Sequence, residues 1–162
     1  MEIRRTRYNE PAAVRLNDLV QREYVERYGD GDATPMAADN FDPPNGLYLV
    51  AYDADEQPVA SGGWRAQDAS PGGHEDGDAE IKRMFVVKEA RGRGLARAIL
   101  AELEASAAAA GRTRMVLETG SRQPEAIALY ESCGYVPVKK FGYYRDQELS
   151  MCLGKSLADP QA

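Results

Sequence analysis

The stretch Glu80-Ile81-Lys82-Arg83-Met84-Phe85-Val86-Val87-Lys88-Glu89-Ala90-Arg91-Gly92-Arg93-Gly94-Leu95-Ala96 decides how the rest of the chain is read. It starts as a buried strand, passes through a turn holding two glycines, and enters a helix. The recurrence of Leu95, Ile99 and Leu103, with Leu100 beside them, carries that helix to about Ala110, and Gly111 ends it. A helix start presents N–H groups without intrahelical partners together with the positive end of the helix dipole, and so forms an anion site. Gly92 and Gly94 let a phosphate come close to the backbone, and Arg91, Arg93 and Arg97 set cations around the same turn. The stretch reads as a pyrophosphate cradle.

Spacing chooses among the cradles that look alike. A Walker A loop needs four residues between its first glycine and Gly-Lys-Ser/Thr, a run this chain lacks. A dinucleotide fingerprint needs a third glycine where Arg97 stands, although Glu118 lies at about the distance of a ribose-binding acid. Arg91-x-x-Gly94-x-Ala96 resembles instead the Gln/Arg-x-x-Gly-x-Gly/Ala signature of the GNAT acetyltransferases. The resemblance runs from about Gly46 to about Lys155. It includes Gln123-Pro124-Glu125-Ala126-Ile127-Ala128-Leu129-Tyr130-Glu131-Ser132-Cys133-Gly134-Tyr135, similar to the family's block of helix tyrosine, three residues, glycine and aromatic.

The resemblance implies an α/β (α+β) fold: a mixed, mostly antiparallel sheet with a central parallel βαβ unit and flanking helices. It implies that backbone amides hold the pyrophosphate of acetyl-CoA, with cofactor contacts from Phe85, Val86, Val87, Arg91, Gly92, Arg93, Gly94, Leu95 and Ala96. Gln123, followed by Pro124 where many members carry Asn near the helix start, is placed with them. A backbone N–H of Met84 to Val87 would meet the developing oxyanion. Tyr130 matches the tyrosine that gives a proton to the departing thiolate. Glu80 matches a glutamate base at the start of its strand, acting through water, and burial under apolar neighbours is expected to raise its pKa. The function implied is N-acetyl transfer to a primary amine of a small molecule or peptide by direct attack in a ternary complex. A non-catalytic acyl-CoA sensor of the same fold is the alternative, and retention of Glu80 and Tyr130 favours the enzyme.

The remaining chain bounds these readings. Its 162 residues, 43% apolar and 28% charged, suit one domain spanning 1–162. A net charge of −6 argues against nucleic acid as partner. No run of about 18 apolar residues suits a membrane span, and Met1-Glu2-Ile3-Arg4-Arg5 leads into no signal peptide, so the cytoplasm is the expected location. Cys133 and Cys152 are expected to stay reduced, and a lone histidine, His74, makes a His-based metal site improbable.

Further elements follow in order. Glu2–Arg7 reads as a first strand. Asn9 caps a helix with Pro11 in its first turn and an apolar stripe of Val14, Leu19, Val20, Tyr24 and Tyr28, ended by Gly29. Residues Asp30 to Asn45 form an irregular loop whose Asp30, Asp32, Asp39 and Asp42 would attract an ammonium, or simply be solvated. Gly46–Tyr52 and Val59–Arg65 make a hairpin, with Gly62 and Gly63 marking a bulge or close approach. Trp64 lines the substrate cleft or sits in the core. Ala66 to Asp78 reads as a mobile surface loop carrying His74, for which no orienting partner is visible. Met115–Thr119 supplies the strand that completes the βαβ unit, and Tyr135–Lys140 pairs with Glu148–Gly154. Leu157–Ala162 is expected to fray. An unpaired sheet edge leaves a homodimer open.

Overall fold

A computed structural model describes residues 1–157. Its strands are β1 (Glu2–Thr6), β2 (Gly46–Tyr52), β3 (Pro58–Gln67), β4 (Asp78–Val86), β5 (Arg114–Gly120), β6 (Val136–Pro137) and β7 (Ser150–Ser156). They form one sheet in the order β1-β2-β3-β4-β5-β7-β6, antiparallel throughout except for β4 and β5, which run parallel. The parallel pair needs a long crossover, and α2 (Leu95–Ala109) supplies it. Two further helices, α1 (Pro11–Tyr28) and α3 (Pro124–Ser132), complete the layers. The expected mixed sheet with one central βαβ unit is what the chain adopts.

Alternation along each strand sorts side chains to two faces. Leu47, Leu49 and Ala51 of β2 join Ile81 of β4 and Met115 and Leu117 of β5 in a core with Leu95, Ile99, Leu100 and Leu103 of α2. Tyr48 and Val50 point the other way, into a second cluster with Ala13 and Leu16 of α1 and with Phe41. Covered on both faces, β2 is almost wholly buried, which is why Gly46–Tyr52 reads as a nearly unbroken apolar run. Ile99 and Leu103 are fully buried, and truncating either to Ala would cost about 2–5 kcal/mol.

Several expectations need correction. Glu10, not Asn9, is the N-cap of α1, though Pro11 does open the helix. The inward face of α1 is Ala13, Leu16, Asn17 and Val20, while Val14 is 44% exposed. Large side chains mislead here because a small residue fits the close approach and a polar one, Asn17, accepts a bond from the Tyr48 hydroxyl at 3.3 Å. Trp64 belongs to the core, its Nε1 donating to Ser106 Oγ at 3.2 Å. The strand expected over Tyr135–Lys140 shrinks to Val136–Pro137, and one further bond, from Val138 N–H to Cys152 O at 3.0 Å, follows it. Its partner begins at Ser150. Leu157 packs on the core and its N–H donates to Thr113 O at 2.9 Å, so fraying does not begin there; residues 158–162 lie outside the described residues. Among the described residues no helix is long and apolar enough to cross a membrane.

The double glycine is a bulge. Ser61 pairs with Phe85 and Gly63 with Lys82, which leaves Arg83 and Met84 together opposite Gly62. A Cβ on Gly62 would overlap the Met84 sulfur, and one on Gly63 would come within 2.8 Å of Leu47 O. Arg83 takes up the irregularity with φ of 61°, a left-handed value that a long side chain adopts at a cost.

Candidate active site

Pairing between β4 and β5 runs from Asp78–Arg114 to Ile81–Leu117 and stops. Past that point the two strands wall a cavity of about 820 Å³, with Met84 on one side and Glu118, Thr119 and Gly120 on the other. Tyr24 and Tyr28 of α1, Ala126 and Tyr130 of α3, and Tyr143 and Tyr144 of the loop before β7 close it. The α1 wall is held in place by contact: the Tyr28 hydroxyl accepts from Arg122 N at 3.2 Å and lies where a Cβ on Gly120 would stand. A second cavity of about 340 Å³ is lined by Thr34, Arg65, Gln67, His74, Glu80 and Arg145. Glu118 and Tyr143 line both.

The glycine turn is tied to two of the elements that wall this cleft, α1 through Arg91 and the end of α3 through Arg97. Gly92 and Gly94 have φ of 82° and 77°, and a Cβ built on either would meet, among the described residues, no atom within 4 Å beyond its chain neighbours. These glycines serve backbone conformation and leave open space in front of the turn. Gly94 is the N-cap of α2 and supplies no side-chain acceptor, so the first N–H groups of α2 have no capping partner. Arg91 fastens the turn to β4 and α1, donating from Nε to Val86 O at 3.0 Å and from Nη2 to Glu23 at 3.0 Å. Arg97 fastens it to the end of α3, through Ser132 Oγ at 2.6 Å and Cys133 Sγ at 3.3 Å. Arg93 is exposed beside the open space. Val87 N–H is already spent on Val59 O at 2.9 Å, while Gln123 Oε1 accepts from Thr119 Oγ1 at 3.0 Å and so fixes that side chain at the cavity wall.

The acids differ from expectation. Glu80 is buried, and its Oε1 accepts from Arg65 Nε at 2.9 Å and Gln67 Nε2 at 3.1 Å. Burial pushes this carboxyl up, but His74, Lys82 and Arg65 outweigh it and hold it at about 2. The raised pKa expected of Glu80 is therefore overturned: its apolar neighbours lie on the opposite face of β4, and its own face is cationic. Glu118, one strand over, behaves in the opposite way. Burial raises its carboxyl from 4.5 to about 7, Lys82 opposes, and Glu80 and Asp32 add to the rise. Its Oε2 is buried without a hydrogen-bond partner among the described residues.

His74 is likewise displaced from expectation. Its side chain is 7% exposed, its ring lies 4.5 Å from that of Phe141, and Nε2 stands 3.9 Å from Glu80 Oε1, beyond hydrogen-bond length. The segment carrying it is anchored, since Gly142 N–H donates to Gly72 O at 2.9 Å and Arg112 binds the carbonyls of Gln67 and Asp78 at 2.7 and 2.9 Å. Of the loop acids, Asp32 is drawn into the cleft by Lys82 at 3.2 Å and Arg83 at 3.7 Å, and Asp42 is paired with Arg7. Tyr130 is buried at the cavity wall with its ring 5.7 Å from that of Tyr135; burial pushes its phenol up, so it stays neutral.

Glu118, Lys82 and Arg83 all line the cavity, and linear reading passed over them there. The signal for Glu118 was the alternation Met115-Val116-Leu117-Glu118: with Met115 and Leu117 in the α2 core, Glu118 must share a face with Glu80 and Lys82 on the neighbouring strand.

The acetyltransferase (GNAT) family model matches residues 13–135. The chain belongs to the GNAT acetyltransferase family. It is 42% identical over 83 residues to an IAA acetyltransferase of Azospirillum brasilense, a match covering 51% of this chain and 54% of that protein. The chain thus spans about half the length of the curated relatives it matches. Solved GNAT-fold structures match more fully. A Klebsiella pneumoniae protein assigned as an acyl-CoA N-acyltransferase aligns with a TM-score of 0.77 and 25% identity over 97% of each chain. An aminoglycoside 6'-N-acetyltransferase complexed with coenzyme A aligns with a TM-score of 0.71 and 16% identity over 98% of each; at that identity the likeness speaks for the GNAT fold alone.

Proposed function

We infer that this GNAT protein transfers acetyl from acetyl-CoA to a primary amine of a small molecule or peptide, by direct attack while both are bound. The carrying observation is the end of β4–β5 pairing at Ile81–Leu117, which opens a cavity walled by Tyr130 and Glu118 beside a helix start whose amides are uncapped. Acetyl-CoA supplies an activated carbonyl and a thiolate leaving group. The open space before Gly92 and Gly94 suits a diphosphate, with the amides of Leu95 and Ala96 and the Arg93 guanidinium as its partners. Phe85, Val86 and Gln123 would flank the pantetheine arm.

An amine attacks only when neutral, yet an alkylamine has an unperturbed pKa near ~10.4. Glu118 is the group suited to take its proton, since a carboxylate that titrates at about 7 is half ionised at neutral pH and still basic. Glu80, held at about 2, serves instead to keep Arg65 in place. Tyr130 would give its proton to the leaving thiolate, then recover one from solvent or from the protonated base. The test is thiol release from acetyl-CoA over a panel of primary amines, with heat protection by acetyl-CoA measured in parallel. Protection with turnover supports the enzyme; protection without turnover of any amine favours the acyl-CoA sensor; neither would end the reading.

A further inference from the structure

Three cations and three carboxylates line the two cavities from β3, β4, β5 and the loop after α1, and their pairing is uneven. Arg65 and Glu80 close on each other at 2.9 Å. Lys82 Nζ lies 3.2 Å from Asp32 Oδ2, the same oxygen that Arg83 Nη1 approaches at 3.7 Å. The other oxygen of Asp32 is already taken by Thr34, from its N–H at 2.9 Å and its hydroxyl at 2.6 Å. One carboxylate thus answers two cations. Arg83 is the loser: its side chain is 4% exposed, it lines the large cavity, and its Nε and Nη1 have no hydrogen-bond partner among the described residues. Glu118, which lines both cavities, is the opposite case: its Oε2 is a buried carboxylate oxygen without a hydrogen-bond partner among the described residues. Lys82 faces Glu118 as well, but its ammonium is committed to Asp32.

We propose that the acceptor is a zwitterion of the amino-acid class, its ammonium received by Glu118 and its carboxylate by Arg83. This rests on the transfer reaction inferred above and names its substrate class. Charge supports it in two ways. Arg83 and Glu118 do not satisfy each other, so a ligand carrying both signs completes two unsatisfied groups at once, and it brings no net charge of its own. A simple amine would bring a cation to Glu118 and leave a buried guanidinium unanswered, which is unfavourable because a buried charge needs hydrogen-bond partners. The bulge provides the placement: with φ of 61° at Arg83, β4 leaves regular alternation, so consecutive cations, Lys82 and Arg83, both line the cleft.

The test compares matched acceptors on the unmodified protein: each of the free amino acids, its carboxamide, and the amine left when its carboxyl group is removed, all assayed by thiol release with acetyl-CoA. The expected result is a free amino acid whose kcat/KM exceeds that of its carboxamide and its amine by roughly 100-fold or more, because a site built to bind a polar group rejects analogues lacking it. Arg83→Gln should bring that ratio toward one, and Arg83→Lys should restore part of it. Carboxamides or amines that match or exceed the free amino acids would overturn the zwitterion while leaving the acetyltransferase intact. No turnover in any arm, with no heat protection by acetyl-CoA, would overturn both. If Arg83→Gln does not fold, the comparison on the unmodified protein decides alone.

Discussion

Glu80 and Glu118 lie on one face of neighbouring strands and are driven in opposite directions: burial raises both, but Arg65 bonds the first, while Oε2 of the second has no partner among the described residues. Their amide variants should therefore fail differently. With Glu118 as base, kcat/KM rises as pH climbs through about 7, where the carboxylate forms, and levels above it; Glu118→Gln should remove that limb and slow turnover by roughly 10²-fold or more. A limb that survives would assign the base elsewhere. Glu80→Gln should instead leave Arg65 buried without its counter-charge, costing about 3–5 kcal/mol in a denaturant titration, with the limb near 7 retained. The sign for Glu80 follows from its lowered value: its contribution is present above 4.5 and is lost as pH falls toward 2. For Tyr130→Phe, stopped-flow and equilibrium binding should give a fall in kcat of roughly 10²-fold with little change in acetyl-CoA affinity. Unchanged kcat would remove Tyr130 as the acid.

At the scale of elements, β4, the glycine turn and α2 act as one device. The strand carries a bulge that turns consecutive side chains into the cleft, the turn holds left-handed glycines, and the helix begins without a side-chain cap. Gly94→Trp places a ring in the open space before the turn, where, among the described residues, no atom beyond the chain neighbours lies within 4 Å of the new Cβ. Calorimetry should show acetyl-CoA affinity falling by roughly 10²-fold or more, beyond the ~1–2 kcal/mol of stability that a left-handed non-glycine residue costs. Affinity equal to the parent's would reject the cradle. The turn and helix of this device were legible in the sequence because their signals are local: glycines at fixed offsets and apolar residues every four positions. The face of α1 was not, since Ala13 and Asn17 reveal their burial only against Tyr48 of a distant strand.

For the whole molecule, the carboxylates give stability a pH profile of two opposed parts. Glu118, raised from 4.5 to about 7, favours the folded state fully below 4.5, and that contribution is lost as pH rises through 7. Thermal unfolding of Glu118→Gln should then decline less than the parent between those values; parallel curves would mean that Glu118 is solvated after all. Acetyl-CoA at 100 times its Kd should add about 2.7 kcal/mol, which for a chain of this size raises Tm by roughly 5–10 °C.

The amino-acid sequence by itself determined the family, the βαβ unit around α2 and the position of the uncapped helix start, because each is written in residues near one another along the chain. Only the tertiary structure decided which acids are free. Charge pairing across β3, β4, β5 and the loop after α1 joins residues tens of positions apart, and a carboxylate's proton affinity is set by whichever cations the fold brings beside it.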